Sequence, residues 1–388
     1  MKLTSLAIAA FALATGCSTT PPPAAATRGW IAVSANDGKA VLVDGVTTIL
    51  ANPLPDTVAV IDMRGPQPRL IAEIAAPATV VGPPFAVAVA ADESIALVTA
   101  GKRAFNDTTL PDNVLSVIDL QATPPRVIQT VYVGAGAAGV SINRDGTLAL
   151  VANRDEGTVS VLRVKGKAVE HLTKVALGND KSGPSAIALT ADGKSAFVTR
   201  DNDNRISVLA IDGEKVALTA RELYAGNRPY PIDICAPGDI GIVGNVGTGS
   251  GDEDTVSVID VKATPPRVID TISVGQTPEG AVCSPDGRYV AVTAMSGSNK
   301  AFSSPFYRAK GRVIVFRVEG KRLVKHGEAD VGNWSQGAVF SPDNRILLVQ
   351  NMVQKEIQVL AVDAQGVRDT GQRIPLKAGP ASIRAAVQ

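Results

Sequence analysis

The sequence predicts an all-β protein: one seven-bladed β-propeller with four antiparallel strands in each blade. Three observations carry that prediction. A strand-like segment recurs seven times, at 57–62 (TVAVID), 114–119 (VLSVID), 158–162 (TVSVL), 205–209 (RISVL), 255–260 (TVSVID), 312–316 (RVIVF) and 356–360 (EIQVL). Its aligned valines, from Val60 to Val359, are spaced 57, 44, 47, 50, 57 and 44 residues apart, a period of propeller-blade size. An Asp-Gly turn between two apolar runs also recurs, at Asp145-Gly146, Asp192-Gly193 and Asp286-Gly287. Degraded copies follow Asp92, Gly238 and Asp343. That turn is a hairpin signal, and helical periodicity is almost absent.

The third observation is a split repeat. Six complete copies of a first strand precede a turn, and the seventh lies at the far end of the chain, where Gly379-Pro380-Ala381-Ser382-Ile383 matches Gly183-Pro184-Ser185-Ala186-Ile187. Blade one is expected to take its innermost strand from there and its other three from 30–75. Such closure leaves no open edge between the first and last blades.

Taken in chain order, the first element is a targeting segment. Lys2 gives a positive start, residues 3–14 a short apolar stretch, and Ala14-Thr15-Gly16-Cys17 small residues before a cysteine. The stretch is too short to span a bilayer. It resembles a bacterial lipoprotein signal, which implies lipidation at Cys17, a place in the periplasm and an outer-membrane anchor. An ordinary secretory signal cut near Ala14 or Gly16 is the alternative. Residues 1–16 are thus expected to be the signal, and 17–28, with Pro21-Pro22-Pro23 and three alanines, a flexible tether. Residues 29–388 form the propeller, with no further run of 18 apolar residues and so a soluble body attached to the membrane only through the lipid.

Within the blades, Ala196-Phe197-Val198-Thr199 and Leu150-Val151-Ala152-Asn153, each followed by a VSV-type strand, together with Ser284-Pro285-Asp286-Gly287, resemble the YVTN β-propeller repeat family. The likeness covers roughly residues 30–387 and is greatest to the YncE-like exported propellers, with a more distant similarity to the lactonase group. It implies the fold strongly and the activity weakly, because one propeller scaffold hosts hydrolases, isomerases and pure binding modules.

Composition narrows function mainly by exclusion. The chain carries 38 Lys and Arg against 37 Asp and Glu, so no global field draws in nucleic acid. Two His and three Cys exclude zinc arrays and haem-rich sites. The loops entering the innermost strands hold the candidate site. Small residues in most blades are replaced there by Arg228, Tyr230, Glu279, Trp334, Gln336 and Arg384, while loops between second and third strands add Arg154 and Arg200. These residues suit a carboxylate-bearing or otherwise anionic ligand. The same loops also read as solvated turns whose Asp and Asn cap backbone amides.

Neither metal nor cofactor is called for: the 201–204 loop lacks the Gly and Glu of a calcium loop, the 247–252 loop lacks a phosphate-binding Lys, and His171 and His326 fall on outermost strands. Cys235 and Cys283 occupy the ends of adjacent innermost strands. Equivalent positions point the same way, so two buried free thiols are expected. Long second-to-third loops at 38–55, 101–112 and 296–310, the last bearing Phe302, Phe306 and Tyr307, suggest a lid or a partner contact.

Three functions follow in order. The first is a monomeric, non-enzymatic exported propeller that binds a protein or a small anionic ligand. The second, implied by the resemblance, is a lactonase-like hydrolase or isomerase acting on a small carboxylate or lactone, with Glu279 as acid or base and Arg200, Arg228 or Arg384 holding the carboxylate. Nucleic-acid binding is third, against the charge balance and the absence of basic runs with interleaved aromatics.

Overall fold

The computed structural model describes residues 30–386, so the signal, Cys17 and the whole tether lie outside it. The described chain folds into seven four-stranded antiparallel sheets and one two-stranded hairpin. Each sheet runs in sequence order from the innermost strand outward, except in blade one. There Gly379–Ala385 pairs with Ile31–Asp37, which is followed by Thr57–Asp62 and Arg69–Ala75. The expected split blade is therefore present, in register from Ala32 opposite Ala385 to Asp37 opposite Gly379.

Burial explains the hydropathy of the strands. Second and third strands lie between two neighbouring blades and are apolar on both faces, as in the uninterrupted buried run of Leu148–Asn153. Outermost strands such as Arg126–Tyr132 alternate between exposed and partly buried positions. Seven apolar clusters fill the blade interfaces, one at each. The cluster joining blade seven to blade one, with Leu348, Val359, Ile61 and Ile383, is built like the rest, so the ring has no seam.

Polar repeats lock the same geometry. Asn36, Asn153, Asn245 and Asn351 lie at or one residue before the ends of the second strands of four blades and are buried. Asn153 donates to Thr158 Oγ1 (2.8 Å) and Ser160 Oγ (3.0 Å), and accepts from the Gly134 amide, tying the third strand to the segment that enters the blade. One residue earlier, Thr199 donates to the Tyr230 carbonyl of the next blade at 2.8 Å, and Thr99 and Thr293 do the same for Ala138 and Gln336. The hairpin turns close through left-handed residues, Gly146, Gly193 and Gly287; Glu93 and Asn344 adopt that conformation (φ 56° and 60°) in the degraded copies.

The three long insertions differ in kind. Residues 38–55 contain the hairpin Ala40–Val43 and Val46–Ile49. Residues 101–112 are mostly not a loop: the second and third strands of blade two simply continue, Ile95–Phe105 against Thr108–Asp119. Only 296–310 lacks strands.

The expectation of free thiols is overturned: Cys235 and Cys283 form a disulfide between the innermost strands of blades five and six. Cys235 pairs with Ile240 and is the sixth residue after Pro229, whereas Cys283 pairs with Val290 and is the fifth after Pro278. The two are thus one residue out of step, and a one-residue offset turns side chains to opposite faces of a strand, here toward one another. Replacing both by Ala is expected to cost about 2–4 kcal/mol, because the bridge closes a loop of 48 residues. Urea unfolding with and without reductant measures it, and reductant should have no effect on the double variant.

Candidate functional site

A recurring backbone irregularity builds the site. In six blades the pairing of innermost and second strands slips by one residue near the start of the innermost strand. A β-bulge of this kind re-aims side chains. By register, the slot inside the slip is occupied around the ring by Ala381, Ala138, Ser185, Tyr230, Glu279 and Gln336, with Phe85 at the matching position of blade two. Blades four to seven therefore put polar groups on one side of the channel mouth, and blades one to three put Ala and Phe on the other.

Two residues ahead of each slot the chain passes through a left-handed conformation in five blades. Glycine takes it at Gly136 and Gly183, but Arg228, Thr277 and Trp334 take it in blades five to seven, with φ of 54°, 55° and 51°. Such a conformation costs a side-chain-bearing residue roughly 1–2 kcal/mol, which marks these positions as held by something other than backbone preference.

For Arg228 that something is charge. Its neighbour Arg154 makes a two-pronged ion pair with Asp201 (2.5 and 2.8 Å), and both groups also bond Ser185 Oγ. Arg228 joins through a 3.2 Å contact to Asp201 Oδ2. The Asp201 side chain is fully buried, that of Arg154 is 16% exposed, and that of Arg228 is 42% exposed and faces outward. Burial pushes the Asp201 carboxyl up, but the bonds and charges of Arg154, Ser185 and Arg228 outweigh it and hold the group below the ordinary range. The Arg154 guanidinium lies 5.6 Å from the centre of the Tyr230 ring. Burial, with the Glu279 charge second, keeps the Tyr230 phenol protonated far into the alkaline range.

Glu279 is the outlier. It is 7% exposed and has no hydrogen bond or ion pair among the described residues. Burial raises its carboxyl to about 8; Arg228 and Arg154 pull it down and Asp201 pushes it up, and burial prevails. At neutral pH it is therefore mostly a neutral acid beside an exposed arginine. Gln336, in the next blade's slot, is fully buried with its Oε1 unpartnered.

The structure brings Arg154, Arg228, Tyr230 and Glu279 together, with Gln336 in the adjoining slot, and disperses the other sequence-derived candidates. Arg200 stands in blade four where other blades have the structural Asn; its side chain turns into the blade to meet Ser207, Asp203 and Glu222, away from the channel. Trp334 is 7% exposed and packs with Ala40, Met295 and Met352, pinning the hairpin of blade one over blade seven. Arg384 lies at the opposite end of the channel, paired with Asp233.

Asp201 and Ser185 belong to the site although the sequence reading did not select them. The signal was there: the residue after each structural Asn position is Val246 in blade five and Met352 in blade seven, but Arg154 and Asp201 in adjacent blades three and four, an opposite-charge pair in one slot.

The family model described as lactonase, 7-bladed beta-propeller, matches residues 112–236. A candidate 6-phosphogluconolactonase from Bacteroides fragilis shares 15% identity at a TM-score of 0.69, covering 95% of this chain and 100% of its own. The periplasmic gluconolactonase PpgL of Pseudomonas aeruginosa shares 16% at 0.63, covering 92% and 100%. Hydrazine synthase of Kuenenia stuttgartiensis, a protein of different chemistry, shares 19% at 0.61, covering 79% and 90%. No curated protein sequence matches. The likeness is one of fold: a β-propeller with lactonase-like neighbours.

Proposed function

We propose that this channel mouth opens the ring of a small lactone bearing an anionic group, with Glu279 as the acid–base residue. The observation that carries the reading is the buried, unpartnered Glu279 carboxyl, raised to about 8, beside the outward-facing guanidinium of Arg228. Lactone hydrolysis joins a water oxygen to the acyl carbon and breaks the ring C–O bond, whose oxygen must leave with a proton. A carboxyl that is neutral at pH 7 supplies that proton, and the carboxylate left behind takes up the one shed by the attacking water. Arg228 holds a carboxylate or phosphate on the substrate, and Arg154, locked by Asp201, adds fixed positive potential. Relatives named as gluconolactonases support the choice of a sugar-acid lactone.

The test is ring opening of glucono-1,5-lactone and its 6-phosphate, followed by pH-stat. Glu279→Gln should lower kcat by about a hundredfold or more, while Arg228→Ala should raise KM, most for the phosphate. Stability should move the other way. Because the folded-state carboxyl titrates at about 8 rather than the ordinary 4.5, ionising it costs the native state progressively more as pH rises through that window. Glu279→Gln should therefore be more stable than the parent by about 3 kcal/mol at pH 7, with the gain vanishing near pH 4.5. Unchanged turnover in Glu279→Gln overturns the reading.

One observation favours binding without turnover. Both terminal nitrogens of Arg154 are already committed to Asp201 and Ser185, and Arg228, itself bonded to Asp201 and to the Gly247 carbonyl, is the more exposed cation of the pair. Stoichiometric binding of gluconate by calorimetry, with no lactone opened, would select that reading. We further infer that the protein is an exported, YncE-like propeller of the YVTN repeat type, lipid-anchored through Cys17 in the periplasm. The Cys235–Cys283 bridge supports an oxidising compartment.

A further inference from the structure

The far end of the channel holds a cavity of about 430 Å³, lined by the ends of innermost strands from all around the ring. Phe85, in the bulge-equivalent slot of blade two, is 5% exposed and packs in the cluster of Ala186 and Ile232 from blades four and five, so its ring reaches across the channel. It also lines the cavity, whereas Arg154, Arg228, Tyr230 and Glu279 of the mouth do not.

Apolar side chains such as Val87, Ile187 and Phe340 supply about half of the wall and polar groups the rest, and its charged members are Asp233, Arg384 and Arg144. Arg384 donates to both oxygens of Asp233 at 3.1 Å and lies 4.7 Å from the Phe85 ring centre. Asp233 also accepts from the amides of Ile234 (3.1 Å) and Cys283 (3.0 Å), so each of its oxygens already has two donors. Arg384 is therefore held rigidly by a saturated partner. Among the described residues its other N–H groups have no acceptor, and its side chain remains 24% exposed. Arg144, exposed at the rim, makes no ion pair among the described residues and gives the cavity a net positive balance.

We infer that this cavity is a second binding site, for a small molecule with an apolar body and one carboxylate or comparable oxyanion. A volume of this size suits a small ligand, and a fixed guanidinium among apolar side chains fixes the orientation of an amphipathic anion. The remaining N–H groups of Arg384 receive the oxyanion, Arg144 selects its sign, and the apolar side chains of the wall, Val87, Ile187 and Phe340 among them, take the hydrocarbon.

The experiment follows the fluorescence of 1-anilinonaphthalene-8-sulfonate titrated with the folded protein, and its displacement by octanoate or octanol. Octanoate should displace the dye at concentrations roughly tenfold lower than octanol. Arg384→Met and, independently, Arg144→Glu should each weaken octanoate roughly tenfold. The second change is at an exposed rim residue and leaves the fold intact. Arg228→Ala should leave octanoate binding unchanged, which separates this site from the lactone-opening mouth. Equal displacement by octanoate and octanol, or octanoate affinity unmoved by Arg144→Glu, overturns the inference.

Discussion

Deleting residues 379–388 is expected to destroy the cooperative unfolding of the entire ring, with a fall in Tm of roughly 10 °C or more. The segment is small, but it supplies the innermost strand of blade one, paired along six positions from Ala32 to Asp37. Ile383 is 1% exposed in the cluster between blades seven and one, and Ala386 bridges to Val89 of blade two. Without it, the inner edge of Ile31–Asp37 is left open, one blade interface loses its inner layer, and Asp233 loses its guanidinium. Adding a peptide of residues 379–388 in trans should restore part of the lost Tm, since a ligand that binds only the native ring stabilises it by mass action. Differential scanning calorimetry decides the matter: an unchanged transition would mean that the ring closes without this strand.

The second large effect is expected from Asp201→Asn. A fully buried carboxylate there serves two guanidinium groups and a serine, and the change strands Arg154 in a site only 16% exposed. Removing one partner of a buried ion pair costs about 3–5 kcal/mol, most of it the penalty of the charge left behind. Urea denaturation at pH 7 should show the full loss. Its pH dependence follows from the sign of the shift. The folded-state carboxyl titrates below the ordinary 3.8, so its stabilisation is present above that value and is lost as pH falls through the depressed one. Parent and variant should therefore converge in acid. A constant difference down to pH 2 would remove the charge from the explanation.

Architecture was legible because the chain repeats itself. Valines at blade-sized spacing, Asp-Gly turns and the displaced Gly379-Pro380 motif are properties of order along the chain, which hydropathy and turn chemistry report directly. The site was legible only where a residue's type alone was informative. Arg228 and Glu279 stood out as charges among small residues, and both lie at the mouth. Trp334 stood out in the same way and is a packing residue, because Ala40 and other residues of a hairpin nearly three hundred residues earlier in the chain join Met295 and Met352 in its cluster. Arg200 looked like a loop charge until alignment with Asn153 and Asn245 showed the slot it fills. Which side chain meets the channel depends on the bulge, and which way a cysteine faces depends on a single-residue offset. Both are local backbone irregularities that leave the apolar pattern unaltered. The 101–112 segment failed for the opposite reason: strand pairing there continues through polar residues and Pro111 with no apolar run to announce it.

The strand order of blade one also sets a timetable. Ile31–Asp37 is made early and its inner partner, Gly379–Ala385, some three hundred and forty residues later, so six blades can assemble while the first still shows a bare edge. Pairing so distant in sequence is slow, and an exposed edge is a template for whatever strand arrives first. At high concentration the nearest such strand belongs to another molecule with the same vacancy. The closing segment is therefore the natural point of exchange between copies, and a rapidly refolded sample should contain reciprocal dimers that interconvert with the monomer only through unfolding of blade one.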